Sequence, residues 1–378
     1  MTNKNIESKL KKLGDSFEPF LYASNPVVVA SLKTLGHDDK AIRQIELFDW
    51  FQGVGLYGYY ELYKLSGKER YLKILLDYYE ARTEDGLPGK NINSMAPMLT
   101  LISLLSENMV PDEQIANYRS LVKSWAEWLY DEAPRTAGGG FAHLTCEAAN
   151  AQEMWDDTLF MSVLFLAKAG VVFEMPNYIE EAAMQFMTHQ QYLVDKSTGL
   201  WFHGYTFDWH HNFAEALWAR GNSWITIFVP LFLEICHNSQ LPRSVITLLQ
   251  NSWCKQVEAL LKVQSKDGLW PTLLNDPDSY SEASAAAGFI WGIQKGRSMG
   301  LLKSSPMIKN QVKKGLSAIL QNINNQGILE QVSGGTAMGK EDLDFYREIP
   351  RVPKPYGQAM AMCALIETLN YYKEIDND

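Results

Sequence analysis

A short turn motif recurs between long apolar stretches of this chain, and it restricts the fold more than any other feature. A glycine precedes a large apolar residue at Asp85-Gly86-Leu87-Pro88, Gly139-Gly140-Phe141, Thr198-Gly199-Leu200-Trp201, Asp267-Gly268-Leu269-Trp270 and Gln326-Gly327-Ile328-Leu329. The copies lie roughly 55 to 70 residues apart, the length of two helices and their connections. Between them, apolar residues recur at three- and four-residue steps. Helices are expected over 46–65, 71–83, 98–107, 112–130, 158–169, 178–193, 218–236, 245–263, 283–299, 308–322 and 356–372. No set of alternating strands stands out.

Five turns and an N-terminal unit make six helical hairpins. Six hairpins close into an all-α (α/α)6 barrel, a toroid whose inner helices are apolar on most sides and whose outer helices are amphipathic. An open superhelix of helical pairs is the alternative. The uneven period and the aromatic residues carried by the loops favour closure, which gathers the loops around one cavity. No Ser/Gly/Pro-rich linker divides the chain, so residues 1–378 read as a single domain.

Composition narrows the partners. The hydrophobic fraction of 46% supplies a large core, and a net charge of −10 argues against nucleic acid, whose phosphates need a basic face. Cys146, Cys236, Cys254 and Cys363 are too scattered for a zinc site or a disulfide framework. The N-terminus has no signal-peptide apolar run, and no stretch is long enough to span a bilayer. The expectation is a soluble cytoplasmic protein without a membrane partner. Nothing in the pattern fixes an oligomeric state.

The candidate chemistry clusters in the loops. Trp201-Phe202-His203-Gly204 and Trp218-Ala219-Arg220-Gly221-Asn222-Ser223-Trp224 combine aromatic rings, a histidine and an arginine. Aromatic faces stack on sugar rings, and a guanidinium fork holds a carboxylate bidentately, so one reading is a pocket for an acidic sugar. The other reading puts the tryptophans in the core and Arg220 in a salt bridge. Asp156 and Asp157 precede an apolar helix. One of them suits helix capping; the other can point into the cavity as acid and base, with Trp155 and Phe160 raising its pKa. In the loop Lys90–Pro97, Asn93 either stabilises a turn or reaches a sugar hydroxyl. His203 is either a structural histidine or a ligand contact. His210 and His211 are adjacent and diverge, no HExxH or carboxylate facial triad is present, and neither a metal nor another cofactor is expected.

Trp155-Asp156-Asp157-Thr158-Leu159-Phe160-Met161, His203-Gly204 and Trp218–Trp224 together resemble the unsaturated rhamnogalacturonyl hydrolases, family 105 of the glycoside hydrolases, close to the unsaturated glucuronyl hydrolases of family 88. Gln52-Gly53-Val54-Gly55, Pro134-Arg135-Thr136, Gly139–His143, Asp267–Trp270, Glu282-Ala283-Ser284 and Pro355–Gln358 extend the match along most of the chain.

The resemblance implies the (α/α)6 barrel and a substrate oligosaccharide ending in a 4,5-unsaturated uronic acid. It implies Asp157 as acid and base and Asp156 as its structural neighbour. Trp218, Arg220, Trp224 and His203 fall on substrate-contact positions, with Trp155 and His143 as weaker matches. Arg220 is the first candidate for the uronate carboxylate. Asn93 stands where some relatives have an aspartate, which removes a charge near Asp157 and leaves burial and Asp156 to keep it protonated. Three other readings compete. An inverting glycosidase needs a second carboxyl group, with Asp85, Asp208 or Glu282 the candidates. An epimerase needs opposed histidines, with His143 and His203 the candidates. A carbohydrate-binding protein needs only the aromatic pocket.

Overall fold

The structure is a computed structural model that describes residues 2–146, 150–335 and 337–377, with no side-chain detail for 27 and 374–377. Its helices are α1 (Asn3–Phe17), α2 (Pro26–Thr34), α3 (Asp39–Glu46), α4 (Trp50–Ser66), α5 (Glu69–Asp85), α6 (Ala96–Ser106), α7 (Asp112–Asp131), α8 (Leu164–Val172), α9 (Pro176–Leu193), α10 (Ala219–Ile235), α11 (Arg243–Lys262), α12 (Ala283–Ser298), α13 (Pro306–Asn322), α14 (Asp344–Arg347) and α15 (Pro355–Asn377).

Helices α4, α6, α8, α10, α12 and α15 pack in sequence, and α15 returns to α4, so the inner ring is closed. Each inner helix carries one outer partner: α5, α7, α9, α11, α13 and, for α15, the N-terminal α1. The toroid expected from the repeat is therefore present, and its sixth hairpin joins the two ends of the chain. Composition follows position. Every residue from Ala219 to Leu233 of inner α10 is buried, whereas outer α11 buries six, on one face. No helix among the described residues is long and apolar enough to cross a membrane.

The recurring turns link each outer helix to the next inner one. Gly86, Gly139, Gly199, Gly268 and Gly327 all have φ between 80° and 96°, a region that glycine enters without a Cβ clash. Three of the turns close a bridge next to the motif's apolar residue: Arg135 with Phe141, Val194 with Trp201, and Ile323 with Leu329. The motif thus returns the chain to the toroid end where the inner helices begin.

Two short ribbons that the periodicity did not suggest also lie at this end. β1 (Glu153–Trp155) pairs antiparallel with β2 (Gly204–Thr206), and β3 (Trp270–Pro271) pairs with β4 (Ser281–Glu282). They are too short to show an alternating pattern.

Candidate active site

The β1–β2 ribbon builds the centre of the site. Its register sets Trp155 opposite Gly204, and the Asp156 N–H donates to the His203 carbonyl at 3.0 Å. Gly204 leaves room for the tip of the Met338 side chain to pack against the ribbon. The chain after Asp157 enters a π-turn, Leu159–Val163, before α8. Such turns interrupt a regular helix and re-aim its side chains.

The two aspartates have different surroundings. Asp156 is fully buried, neither carboxylate oxygen has a hydrogen-bond partner outside the pair, and its side chain lies where a Cβ on residue 221 would be. Asp157 keeps 16% of its side chain exposed and places Oδ2 3.2 Å from His203 Nε2, an ion-pair separation without hydrogen-bond alignment.

Burial, followed by the charge and hydrogen bond of Asp157, pushes the Asp156 carboxyl well above the usual range. Burial also acts upward on Asp157. The close approach and charge of His203, with smaller help from His143 and Asp156, outweigh it and bring Asp157 down to about 2. This corrects the expectation that apolar neighbours keep Asp157 protonated. Of the two, Asp156 is the carboxyl whose surroundings favour the protonated form.

Aromatic rings wall the pair. His143 stacks on Trp155 at 4.4 Å with planes 7° apart, and its Nδ1 lies 2.8 Å from Thr158 Oγ1. Burial lowers the His143 pKa to about 4, so its ring is neutral near pH 7. His203 packs edge-on to Trp155 and against Trp218 at 4.4 Å. Its Nδ1 lies 2.8 Å from the Tyr346 hydroxyl. Asp156, Asp157 and His203 offer ligand atoms within 4.8 Å of one another. The same closeness lets the two carboxyl groups act on one proton as an acid–base pair.

The sequence from residue 28 to 372 matches the model of Glycosyl Hydrolase Family 88. The chain belongs to that family. It is a glycoside hydrolase, and its relatives are consistent with this. The unsaturated rhamnogalacturonyl hydrolase YesR of Bacillus subtilis strain 168 is 31% identical over 336 residues, 87% of this chain and 91% of that protein. A crystal structure of a possible GH105-family member from Salmonella enterica serovar Paratyphi A superposes with a TM-score of 0.87 at 41% identity, covering 98% of this chain and 95% of that one. The unsaturated glucuronyl hydrolase of Bacillus sp. GL1 shares the fold, with a TM-score of 0.67 at 16% identity over 97% of both chains.

Within the family 88 enzyme, the remaining sequence candidates take several positions. Asn93 opens the short 3-10 turn Asn93–Met95, which packs against the π-turn after Asp157. Its backbone N–H donates to Asn91 Oδ1 at 2.9 Å. Trp218 is buried under His203 and Arg220. Trp224 is fully buried between Phe160 and Trp50, at 4.7 and 6.1 Å, which makes it a core residue beneath the site.

Arg220 also departs from expectation. Its guanidinium is fully buried between the Trp218 and Tyr356 rings, at 4.4 and 4.5 Å. One Nη donates to the Ser333 carbonyl at 2.7 Å and the other to the Gly335 carbonyl. The fork is thus occupied by backbone and fastens the loop that follows α13.

The candidate second carboxylates have other partners or are exposed. Asp85 pairs with Arg43 and Arg82, Asp208 is exposed, and both Glu282 oxygens cap the start of α12. His143 and His203 both pack against Trp155, His143 on its face and His203 edge-on.

The tertiary structure adds Tyr346, Tyr356 and Glu153. Glu153 accepts from Trp155 Nε1 at 3.0 Å and pairs with Lys340. Tyr356 lies within a quoted motif, and Glu153 directly precedes the Met154-Trp155 stretch. Tyr346 carries no sequence signal.

Proposed function

We propose that this family 88 hydrolase acts on oligosaccharides that end in a 4,5-unsaturated uronic acid, such as unsaturated rhamnogalacturonan fragments and related lyase products. The carrying observation is the Asp156–Asp157 pair, one carboxyl fully buried and the other partly exposed beside His203. Of the candidate second carboxylates, Asp85 is held in ion pairs and both Glu282 oxygens cap α12. An ordinary inverting glycosidase needs two carboxyl groups set apart on opposite sides of the bond. Hydration of an enol ether needs one.

The anionic ring approaches the toroid end where the inner helices begin, whose helix dipoles favour negative charge. A substrate carboxylate near Asp157 raises the proton affinity of Asp157. The proton then passes from Asp156 to Asp157 and on to C4 of the sugar. The cation at C5 is stabilised by the ring oxygen. Water adds at C5 and returns its proton to Asp157. The hemiketal opens, and C1 expels the rest of the chain as an alcohol. His203 holds Asp157 in place and stabilises it as the anion between the two proton transfers. Trp155, stacked on His143, supplies an aromatic wall.

The test is loss of the ultraviolet absorbance of the conjugated double bond in a panel of lyase-generated unsaturated disaccharides from pectin, ulvan and glycosaminoglycans. Consumption of one member, abolished in Asp157→Asn, is the expected result. An untouched panel would overturn the proposal. A chelator is expected to leave the rate unchanged; a loss restored by a divalent cation would replace the shared proton with a metal at Asp156, Asp157 and His203. Cell fractionation tests the cytoplasmic location, which the buried thiols Cys236 and Cys363 support.

A further inference from the structure

Residues 207–215 make an excursion whose two ends meet the active site. The His203 N–H donates to the Ala216 carbonyl at 3.0 Å, and Asn212 Nδ2 donates to the Gly204 carbonyl at 3.1 Å. A bridge between Thr206 and His211 closes the loop. At its tip Trp209 is 66% exposed. Its ring stacks on His211 at 5.9 Å with planes 28° apart, and His211 meets Phe213 edge-on at 5.9 Å.

The backbone holding these rings is unusual. His210, Phe213 and Glu215 have φ of 58°, 54° and 53°, a region residues with a Cβ seldom enter. Strained backbone kept in a loop beside an active site points to use there. The loop is also tied to the catalytic wall, because Lys340 sits over the Phe213 ring at 5.6 Å and pairs with Glu153, which holds Trp155.

We propose that Trp209 and His211 form a stacking platform for pyranose rings on the reducing-end side of the unsaturated sugar, beyond the bond that breaks. This rests on the proposed function. The site consumes the terminal ring, so the rest of a longer oligosaccharide must leave across the rim. An exposed tryptophan gives it a flat apolar face there. The platform makes the enzyme favour longer fragments over disaccharides.

The experiment compares kcat/KM for an unsaturated tetrasaccharide and a disaccharide of the same repeat, in the wild type, Trp209→Ala and Trp209→Phe. The wild type is expected to favour the tetrasaccharide. Trp209→Ala is expected to lower the tetrasaccharide-to-disaccharide ratio about tenfold, through KM, and Trp209→Phe to restore most of it. Equal melting temperatures establish that the variants are folded. An unchanged ratio in Trp209→Ala, or no length preference in an active wild type, overturns the platform alone. A wild type inactive on both substrates overturns the platform and the functional reading together.

Discussion

The two ends of the toroid bury charge in opposite ways. Where the inner helices begin, Asp156 and Asp157 sit together, and among the described residues no lysine or arginine pairs with them. Where they end, the acidic residues are compensated. Lys295 Nζ lies 2.6 Å from Glu234 and 3.5 Å from Glu367, and Lys64 lies 3.2 Å from Glu107. Burial lowers the Lys295 pKa, but the charges of Glu367, Glu234 and Glu61 prevail and raise it, so the ammonium is held firmly. Burial still lifts Glu367 to about 7 and raises Glu61. Charge at the closing end is neutralised by fixed cations and serves packing. At the opening end the Asp156–Asp157 pair has a histidine beside it in place of a fixed cation.

The comparison breaks most sharply at Asp157. Asp157→Asn is expected to lower kcat by about a thousandfold, roughly 4 kcal/mol, while leaving the melting temperature near that of the wild type. A small loss would make the pair structural, like its counterpart at the other end. Lys295→Met should do the reverse. Removing one partner of a buried ion network costs about 3 kcal/mol in denaturant unfolding, and kcat should hold in the molecules that remain folded.

Gly221→Ala sharpens the contrast with a single methyl group. Its Cβ would collide with the Asp156 carboxylate, so kcat is expected to fall about tenfold, roughly 1.4 kcal/mol. Unchanged kinetics would remove Asp156 from the proton route. The smallest effect concerns pH. Glu367 has a raised pKa in the folded protein, so its stabilising contribution is fully present below the unfolded value near 4.3. It is lost as the pH rises through about 7. Glu367→Gln should therefore flatten the stability profile between about pH 4 and 8 by roughly 1 kcal/mol or more, read as urea midpoints across that range. A profile as steep as that of the wild type would assign the pH response to another group.

Local patterns carried most of the architecture. The helix over 112–130 is observed as Asp112–Asp131 and that over 283–299 as Ala283–Ser298, because apolar spacing follows the helical period wherever one face is buried. The five glycine turns were legible because positive φ selects glycine. The pairing of α1 with α15 was not, since the first and last helices share no turn. Within the site, Asp157 and His203 were legible through motifs that resemble a family.

Sequence alone determined the all-α toroid and the residue types available for acid–base chemistry, because periodicity and turn chemistry are local. Tertiary structure decided which member of the Asp156–Asp157 pair is sealed from solvent and which meets His203, because both depend on strands far apart in the chain. It also decided that Arg220 and Trp224 pack inward. An arginine or a tryptophan serves a sugar or a core equally well, and only its neighbours in space select between the two.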